Sequence, residues 1–370
     1  MRVTELALTD FRCYRSAQLD LPSGVMVITG ANGQGKTSLL EAVGWAATAR
    51  SFRGVPDAAL VRAGCEEAVL RIEVEDEGRV QRLEAGIRSH GRNRVRLNRH
   101  PLERSRELLG LLRVTVFAPD DLELVKGGPV ERRGYLDDLL VAIAPRYEAA
   151  RSDLERVLRQ RNALLRQGAG SPDGLATLDV FDDQLVAAGG ELVRGRLGLV
   201  ERLTGPVGDA YRALADADDT EVGAAYEAEW AEGVVVPDAS DVERLLRGAL
   251  AARRRQELDR GVTLVGPHRD EWRLRIRSLD ARTHASQGEQ RTLALALRLA
   301  GHRVCAELVG RQPVLLLDDV FSELDPQRAA ALVEHLPVGQ TLVTTASTVP
   351  SGVRPERRVR VADGRIEDEP

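Results

Sequence analysis

The strongest constraint on the fold is a glycine-rich segment between a short apolar run and an apolar helical segment. The run VMVIT at residues 25–29 is typical of a buried strand, and SLLEAVGWAATAR at residues 38–50 is typical of a helix. Between them, residues 30–37 read GANGQGKT and match the pattern G-x-x-x-x-G-K-[ST]. In this pattern the backbone turns tightly, and its N–H groups converge on phosphate oxygens at the helix N-terminus. The order strand, loop, helix therefore predicts an α/β fold with a phosphate-binding site.

The side chains that end this segment have distinct expected roles. Lys36 is expected to reach the β- and γ-phosphates as a compact point charge, where a planar guanidinium would fit badly. The Thr37 hydroxyl is placed to ligate Mg²⁺, and Ser38 to contact the α-phosphate. The alternative is a glycine-rich turn with a chance lysine, which the flanking strand and helix disfavour. The expected nucleotide-binding residues are Gly30, Ala31, Asn32, Gly33, Gln34, Gly35, Lys36, Thr37 and Ser38.

A second segment supplies the acids that a nucleotide site needs. The apolar residues 314–317 are typical of a buried strand, which is followed by Asp318 and Asp319. Asp318 is the expected Mg²⁺ partner, through water, and Asp319 could polarise the attacking water. Lys36, Asp318 and Asp319 are thus the candidate catalytic residues. Aspartate is one methylene shorter than glutamate, so we expect slow hydrolysis. The alternative is two acids that cap a strand end.

A third segment combines small polar residues with a helix start. Ser286, Gln287, Gly288 and Glu289 precede or open an amphipathic helix, which is a second potential anion-binding N-terminus. One chain has no use for two such sites on one γ-phosphate unless a second subunit supplies one of them. The alternative is an ordinary capping box, formed by a serine N-cap and a glutamate three residues later.

Composition narrows the function classes. No apolar stretch is long enough to span a bilayer, and the N-terminus is too polar for a signal peptide. The three cysteines form no C-x-x-C pair, which favours a reducing, cytoplasmic setting over a disulfide or zinc scaffold. The net charge is -5, so any nucleic-acid binding must use a local patch. Aromatic residues make up only 4%, so base stacking is not expected to dominate.

The basic residues are unusually uneven. Of 52 lysines and arginines, only Lys36 and Lys126 are lysine, an excess that codon bias in a GC-rich genome explains. The expected role of Lys36, contact with the β- and γ-phosphates, favours an ammonium group over a guanidinium. Lys126 has two open interpretations, a helix-start charge or a link between the nucleotide site and the helical insertion. Because arginine is the default cation here, an arginine cluster is weak evidence for binding.

The chain changes character twice. Residues 1–118 read mostly as strands, and several of them alternate as antiparallel strands with one wet face do. Residues 119–251 are mainly helical, with apolar residues at helical spacing, a gap in that rhythm at Arg161, and a breaker at 167–174 that predicts a helical hairpin. From residue 252 strand patterns return. We therefore predict one α/β domain, 1–118 with 252–370, and an inserted helical domain, 119–251.

The three segments, in this order, resemble the motif set of the ABC-type ATPases: Walker A at 30–37, the signature at 286–290 and Walker B at 314–319. Residues 322–325 resemble the D-loop, and Thr344 and Thr345 stand where that family usually has a switch histidine. The resemblance implies a P-loop domain with a mixed sheet, an antiparallel β subdomain and an inserted helical lobe or short coiled-coil-like arm. It also implies ATP and Mg²⁺ as cofactors, and a signature that acts on the partner subunit's ATP.

Within this group the chain resembles the RecF family of DNA replication and repair ATPases. The strings that carry this resemblance include LTDFRCYRSAQLDL, FAPDDLELVKGGPVERRGYLDDLL, LRQRNALL, GPHRDEW and LLLDDVFSELD. Within GPHRDEW, the segment His268-Arg269-Asp270 has no role that we can derive from the sequence. The resemblance implies an ATP-dependent homodimer that clamps DNA at gaps and single-strand/double-strand junctions. It further implies RecA loading with RecO and RecR partners, replication restart, SOS induction, no membrane association, and slow, DNA-stimulated ATP hydrolysis linked to release.

Two other functions stay open at this stage. An ABC transporter's ATPase subunit is opposed by the long insertion. A nucleotide-gated scaffold with negligible hydrolysis would act by recruiting partners.

Arginine clusters are the candidate DNA contacts, since they can neutralise phosphates without reading sequence. Arg92, Arg94 and Arg96 alternate along an expected strand and so share a face. A run at 253–255 precedes the return to the ATPase domain, and Arg273, Arg275 and Arg277 line the wet face of WRLRIR. The alternative for each cluster is a solvated surface. The candidates are Arg92, Arg94, Arg96, Arg253, Arg254, Arg255, Arg273 and Arg275.

Overall fold

The computed structural model describes residues 1–168, 170–215, 220–231 and 241–369. The described residues group into two compact units. Unit 1 draws on Met1–Asp121, Ala210–Asp218 and Leu295–Pro370, and unit 2 on Leu122–Asp209 and Asp219–Ala294. Residues 252–294 therefore group with the helices, whereas the sequence analysis assigns them to the α/β domain; the domain boundaries drawn from sequence stay a prediction.

The strands and helices come largely in runs. Among the described residues the strands are β1 (Arg2–Phe11), β2 (Tyr14–Asp20), β3 (Val25–Thr29), β4 (Glu67–Asp76), β5 (Arg79–Arg88), β6 (Arg94–Leu97), β7 (His100–Pro101), β8 (Val114–Phe117), β9 (Val222–Glu227), β10 (Glu271–Ile276), β11 (Leu279–Asp280), β12 (Val314–Asp318), β13 (Thr341–Thr345), β14 (Arg357–Ala362) and β15 (Arg365–Glu369). The α-helices there are α1 (Lys36–Thr48), α2 (Glu123–Lys126), α3 (Pro129–Ile143), α4 (Arg146–Gln167), α5 (Pro172–Ala215), α6 (Val242–Arg260), α7 (Ala281–His284), α8 (Gln287–Val309) and α9 (Pro326–Glu334). The strands β4 to β8 are consecutive, and so are the α-helices α2 to α5.

The central sheet of unit 1 has the order β15-β14-β3-β13-β12-β8. Its strands run parallel except for the edge strand β15, which pairs antiparallel with β14. β12 is buried along its length and β3 is buried at its three central residues, as expected of strands covered on both faces. Because parallel strands end at one edge, the loop after β3 and the acids after β12 share that edge.

A second sheet of unit 1 is antiparallel, with the order β2-β1-β4-β5-β6-β7. Alternate residues of β4, such as Leu70 and Ile72, are buried, while Arg71 between them is exposed. The buried face packs in one apolar core with α1, which contributes Leu39 and Val43. The antiparallel β subdomain expected from sequence is therefore confirmed.

In unit 2 the predicted helical hairpin is confirmed as α4 and α5. The contacts between the two helices run in opposite directions along the chain: Leu165 clusters with Leu178, Arg161 bonds Asp182, and a Cβ at Gly195 would meet the ring of Tyr147. This order of contacts makes the hairpin antiparallel.

A buried arginine joins three helices of unit 2. Arg161 of α4 is fully buried, and its guanidinium donates to Asp182 of α5 at 2.8 Å, to Glu257 of α6 at 2.5 Å and to the Thr263 hydroxyl at 2.9 Å. Asn162 accepts from the N–H and hydroxyl of Thr263, both at 2.7 Å. The gap in the apolar rhythm at Arg161 thus marks a buried polar centre, a role that the sequence alone did not indicate.

A three-stranded sheet, β11-β10-β9, also lies in unit 2. WRLRIR belongs to β10 with Trp272, Leu274 and Ile276 buried, so the predicted alternation is confirmed. The Trp272 ring stacks on Tyr135 of α3 at 5.8 Å between centroids. By contrast, the expected return to strand at residue 252 is wrong, because α6 continues to Arg260.

Candidate phosphate-binding site

The loop at residues 30–35 connects β3 to α1 in the conformation that its glycines allow. Gly30, Gly33 and Gly35 all have positive φ, and a Cβ at Gly30 would lie 2.3 Å from the Val361 carbonyl oxygen. Gly35 is the N-cap of α1, and no side chain caps this helix end. The Ser38 N–H donates to the Gly35 carbonyl oxygen at 3.0 Å, so the N–H groups of Lys36 and Thr37 are the ones of this helix end available to an anion.

Lys36 lies on the inner side of this loop. Its side chain is almost buried, and its ammonium group donates to the carbonyl oxygens of Gly30 at 2.8 Å and Ala31 at 3.0 Å. Burial lowers its pKa, and the nearby Asp319 and Asp318 oppose that shift. An ammonium has three protons, and among the described residues these two bonds leave one for a phosphate oxygen.

Asp318 and Thr37 meet where the carboxyl end of β12 faces the start of α1. The Thr37 hydroxyl donates to Asp318 Oδ1 at 2.8 Å. Burial raises the pKa of Asp318, while the hydroxyls of Thr344 and Thr37 oppose the shift. A hydroxyl and a carboxylate are hard oxygen donors, the ligands that Mg²⁺ prefers. These two residues therefore fit a magnesium ion held together with nucleotide phosphates.

Asp319 follows in a left-handed conformation, with φ 51°. Its Oδ1 accepts from the Ser322 hydroxyl at 2.5 Å and from the Ala346 N–H at 3.4 Å. Ser322 belongs to the segment expected as the D-loop, whose Asp325 caps α9 by accepting from the Arg328 N–H. The carboxylate of Asp319 is thus anchored by two neighbouring loops of unit 1.

The turn between β1 and β2 supports the loop at residues 30–35. This contact was not predicted from the sequence. The Tyr14 hydroxyl donates to the Gly35 carbonyl oxygen at 3.1 Å, and a Cβ at Gly35 would lie 2.5 Å from Cys13 Sγ. From the β14–β15 turn, the Asp363 N–H donates to the Gln34 side chain at 2.6 Å. The string LTDFRCYR was visible in the sequence, but only its contact with the loop gives it a role.

The same turn is tied to the helix that follows the loop. Arg12 donates through two nitrogens to Glu41 of α1, at 2.8 and 2.6 Å, and to the Ala59 carbonyl oxygen. Glu41 is fully buried and also accepts from the Ser51 hydroxyl at 2.5 Å. The one sequence signal for this pair was an acid within the apolar run SLLEAVGWAA.

The signature segment lies in unit 2 and forms the capping box that the sequence left open as an alternative. Glu289 accepts from the Ser286 N–H at 2.8 Å, and the Glu289 N–H donates to the Ser286 hydroxyl at 3.3 Å. The Ser286 N–H bond, aided by Arg277, lowers the pKa of Glu289. Gln287, Gly288 and Glu289 open α8. Their action on a partner's nucleotide stays a prediction.

The arginine candidates differ in whether their side chains form ion pairs with carboxylates. Arg94 and Arg96 are exposed on one face of β6, with Arg96 3.7 Å from Glu84. Arg92 is exposed too, but β6 begins after it, so the expected strand of three alternating arginines is too long.

Of the candidates in unit 2, Arg254, Arg273 and Arg275 lie beside carboxylates. Arg253, Arg254 and Arg255 lie inside α6 rather than before a strand, and Arg254 pairs with Asp179 and Asp182. On β10, Arg273 bonds Glu227 through two nitrogens at 2.8 Å, and Arg275 lies 3.9 Å from the same carboxylate.

The segment His268-Arg269-Asp270 contributes a buried polar cluster of unit 2. Asp270 is fully buried and accepts from Trp230 at 2.7 Å and from the Tyr226 hydroxyl. Burial raises the pKa of Asp270 to about 6. Arg196 donates to Asp137 through two nitrogens at 2.7 Å and to the Pro267 carbonyl oxygen. The role missing from the sequence analysis is therefore a packing role.

The fold and the site define an ABC-type P-loop ATPase. A family model described as the RecF/RecN/SMC N terminal domain matches residues 2–349. The DNA replication and repair protein RecF of Frankia alni is 47% identical over 377 residues, which cover 99% of this chain and 99% of that relative. The chain belongs to the RecF family of DNA replication and repair proteins.

Solved structures agree with this assignment. A structure of the recombination mediator protein RecF with ATP in the RecFOR pathway has a TM-score of 0.91 and 30% identity, covering 100% of this chain and 97% of that chain. An SMC head domain from Pyrococcus furiosus has a TM-score of 0.57 and 15% identity, covering 99% and 95%, which shows a shared fold alone. Within the described residues, no helix is both long and apolar enough to cross a membrane.

Proposed function

We propose that this chain binds ATP and Mg²⁺ at the loop of residues 30–38 and uses that binding to close a homodimer on DNA during recombinational repair. The observation that carries the proposal is the meeting of Lys36, Thr37 and Asp318 at one edge of the central sheet. Related chains were solved with ATP and belong to the RecFOR pathway, which supports the same ligand and the RecO and RecR partners here.

The residues of this site divide the work. The loop N–H groups and Lys36 hold phosphate oxygens, and Thr37 with Asp318 holds a magnesium ion. A bound Mg²⁺ would neutralise charge that develops on the phosphates. Asp319 would orient the attacking water, and Lys36 would stabilise charge on the γ-phosphate. Because the Asp319 side chain is short and is held by Ser322, we expect slow ATP hydrolysis and inefficient multiple turnover. From the family resemblance we further expect that DNA stimulates this hydrolysis.

The signature residues Ser286, Gln287, Gly288 and Glu289 would contact the nucleotide of the second subunit. One γ-phosphate needs one helix N-terminus from its own loop, and α8 supplies a second such end. Nucleotide would then bridge two chains, and hydrolysis would release them from DNA.

For DNA, the exposed arginines of unit 1 are favoured over those of unit 2. Arg92 and Arg94 are exposed and make no ion pair among the described residues, whereas Arg254 and Arg273 are already neutralised by carboxylates. A cation that already pairs with a carboxylate releases less free energy on contact with a phosphate.

The test is binding to gapped, single-stranded and duplex DNA, with and without ATP and Mg²⁺, over a range of salt concentrations. We expect ATP to raise affinity most for gapped DNA, and Arg92→Ala/Arg94→Ala to reduce the salt slope by about two. Arg273→Ala/Arg275→Ala is the matched control and should change the slope less. If the affinity for each of the three DNAs is the same with and without ATP, the result would argue against the clamp and for a scaffold that nucleotide does not control.

A further inference from the structure

One hydroxyl group at the end of β13 contacts both acids of the site. Thr344 Oγ1 donates to Asp318 Oδ1 at 2.7 Å, and the Asp319 N–H donates to the same Oγ1 at 3.0 Å. The parallel register of β12 and β13 pairs Asp318 with Thr344, and Thr344 is fully buried. Thr344 and Thr345 stand where the ATPase family was expected to have a switch histidine, and of these two residues Thr344 bonds the acids.

The Asp318 carboxylate is fixed from two sides. Its Oδ1 accepts from Thr344 and also from Thr37 at 2.8 Å, and the two donors come from different elements, β13 and α1. Neither bond uses Oδ2. Rotation of the carboxylate would break both bonds, so they define which oxygen turns toward a ligand, and they oppose the rise in its pKa that burial causes.

The backbone after Asp318 also bonds the same hydroxyl. Asp319 has φ 51° and ψ 23°, a left-handed conformation that is unfavourable for a residue with a side chain. Its N–H donates to Thr344 Oγ1 at 3.0 Å and also to the Thr344 carbonyl oxygen at 3.2 Å, so residue 344 holds this turn where the strand ends through its side chain and its backbone. This backbone conformation directs the Asp319 carboxylate toward Ser322.

We propose that Thr344 is a positioning residue, which presets the Asp318 carboxylate for the divalent cation that binds together with the nucleotide. The inference rests on the proposed function, since it requires that Mg²⁺ and nucleotide bind beside Thr37. A carboxylate that is already oriented loses less conformational entropy when it takes up a cation. Hydrogen bonds to ligating carboxylates typically change metal affinity by ~10–100-fold.

The experiment compares Thr344→Val, which removes the hydroxyl but keeps the shape, with Thr344→Ser, which retains the hydroxyl. Binding of a fluorescent ATP analogue is titrated with Mg²⁺, and the same binding is measured in EDTA. Thr345→Val is the matched control, because Thr345 is equally buried on β13 but bonds Ser347 and neither acid.

For Thr344→Val we expect the Mg²⁺ concentration at half-maximal binding to rise by about tenfold, with binding in EDTA unchanged. Thr344→Ser and Thr345→Val should stay near the wild type. An unchanged Mg²⁺ midpoint in Thr344→Val, or an equal shift in Thr345→Val, overturns the inference. Equal loss of binding with and without Mg²⁺ also overturns it, because that is the result of a purely structural role.

Two further outcomes are separated by controls. If the valine variant does not fold, Thr344→Ala against Thr345→Ala makes the same comparison without the hydroxyl. If the wild type itself shows no Mg²⁺-dependent nucleotide binding, the proposed function fails and the role of Thr344 fails with it. Wild-type Mg²⁺ dependence together with an unshifted variant overturns the role of Thr344 alone.

Discussion

At the scale of single residues, the position of Lys36 explains why a lysine remains in a chain that otherwise uses arginine. Its ammonium lies inside the loop, close to two carbonyl oxygens, with little exposed surface. A guanidinium is planar and longer, so it cannot occupy the same point among these oxygens. Lys126, the last residue of α2, is exposed, and its side chain makes no hydrogen bond or ion pair with another described residue.

We therefore expect Lys36→Arg to abolish ATP-dependent dimerisation although the charge is kept. Light scattering with ATP and Mg²⁺ should show a monomer for Lys36→Arg and a dimer for Lys126→Arg, which makes the same exchange at an exposed position. A dimer in both variants would mean that the shape of the cation at position 36 is irrelevant.

At the scale of elements, unit 2 is organised by arginines whose partners come from different helices. Arg161 links α4, α5 and α6, and Arg196 of α5 links α3 to the segment before β10. Such pairs add little net stability over apolar packing, but the loss of one partner leaves a buried charge without compensation. They therefore fix which residues of the helices face each other.

For Arg161→Met we expect a loss of about 3–5 kcal/mol in the free energy of unfolding, because Glu257 stays buried without its cation. Urea unfolding followed by circular dichroism measures it. Adding Glu257→Met should recover part of the loss. Arg159→Met, on the same helix but largely exposed, should be near neutral. Equal effects of the two single substitutions would contradict this role of Arg161.

At the scale of the whole molecule, each unit contains a histidine that burial keeps neutral. Burial lowers the pKa of His302 in unit 1 and of His268 in unit 2 to about 4. Unfolded histidine titrates near 6.5, so the unfolded chain binds the additional proton and stability is lost as pH falls from 6.5 toward 4. In unit 2 the raised pKa of Asp270 acts in the opposite direction over the same range, since the folded state there binds the proton first.

We expect acid sensitivity to be strongest in unit 1. His302→Asn, which can keep the bond to Thr115, should remove about 2 kcal/mol of the stability difference between pH 7.5 and 5. Urea midpoints at the two pH values measure it, with the exposed His284→Asn as control. The same pH dependence in both variants would show that His302 does not cause the acid sensitivity.

Much of the site was predictable because its pattern is local. Residues 30–37, Asp318 and Ser286 are recognised from a few neighbours, since a turn with positive φ, a strand end and a capping box each need particular residues in sequence. The partners of Arg161, Asp270 and Gly35 were not predictable. They are 21, 96 and 102 positions from Arg161, 44 and 40 from Asp270, and 21 from Gly35.

The sequence by itself determined the class of fold, the glycine-rich loop between β3 and α1, and the family, because these depend on short-range geometry and on whole-chain similarity. Tertiary structure alone decided which arginines are neutralised, which hydroxyl orients Asp318, and that α6 extends through residues expected to be strand. The physical reason is that burial and pairing arise between elements. The free energy of a charged side chain differs between solvent and a site beside a carboxylate from a distant segment.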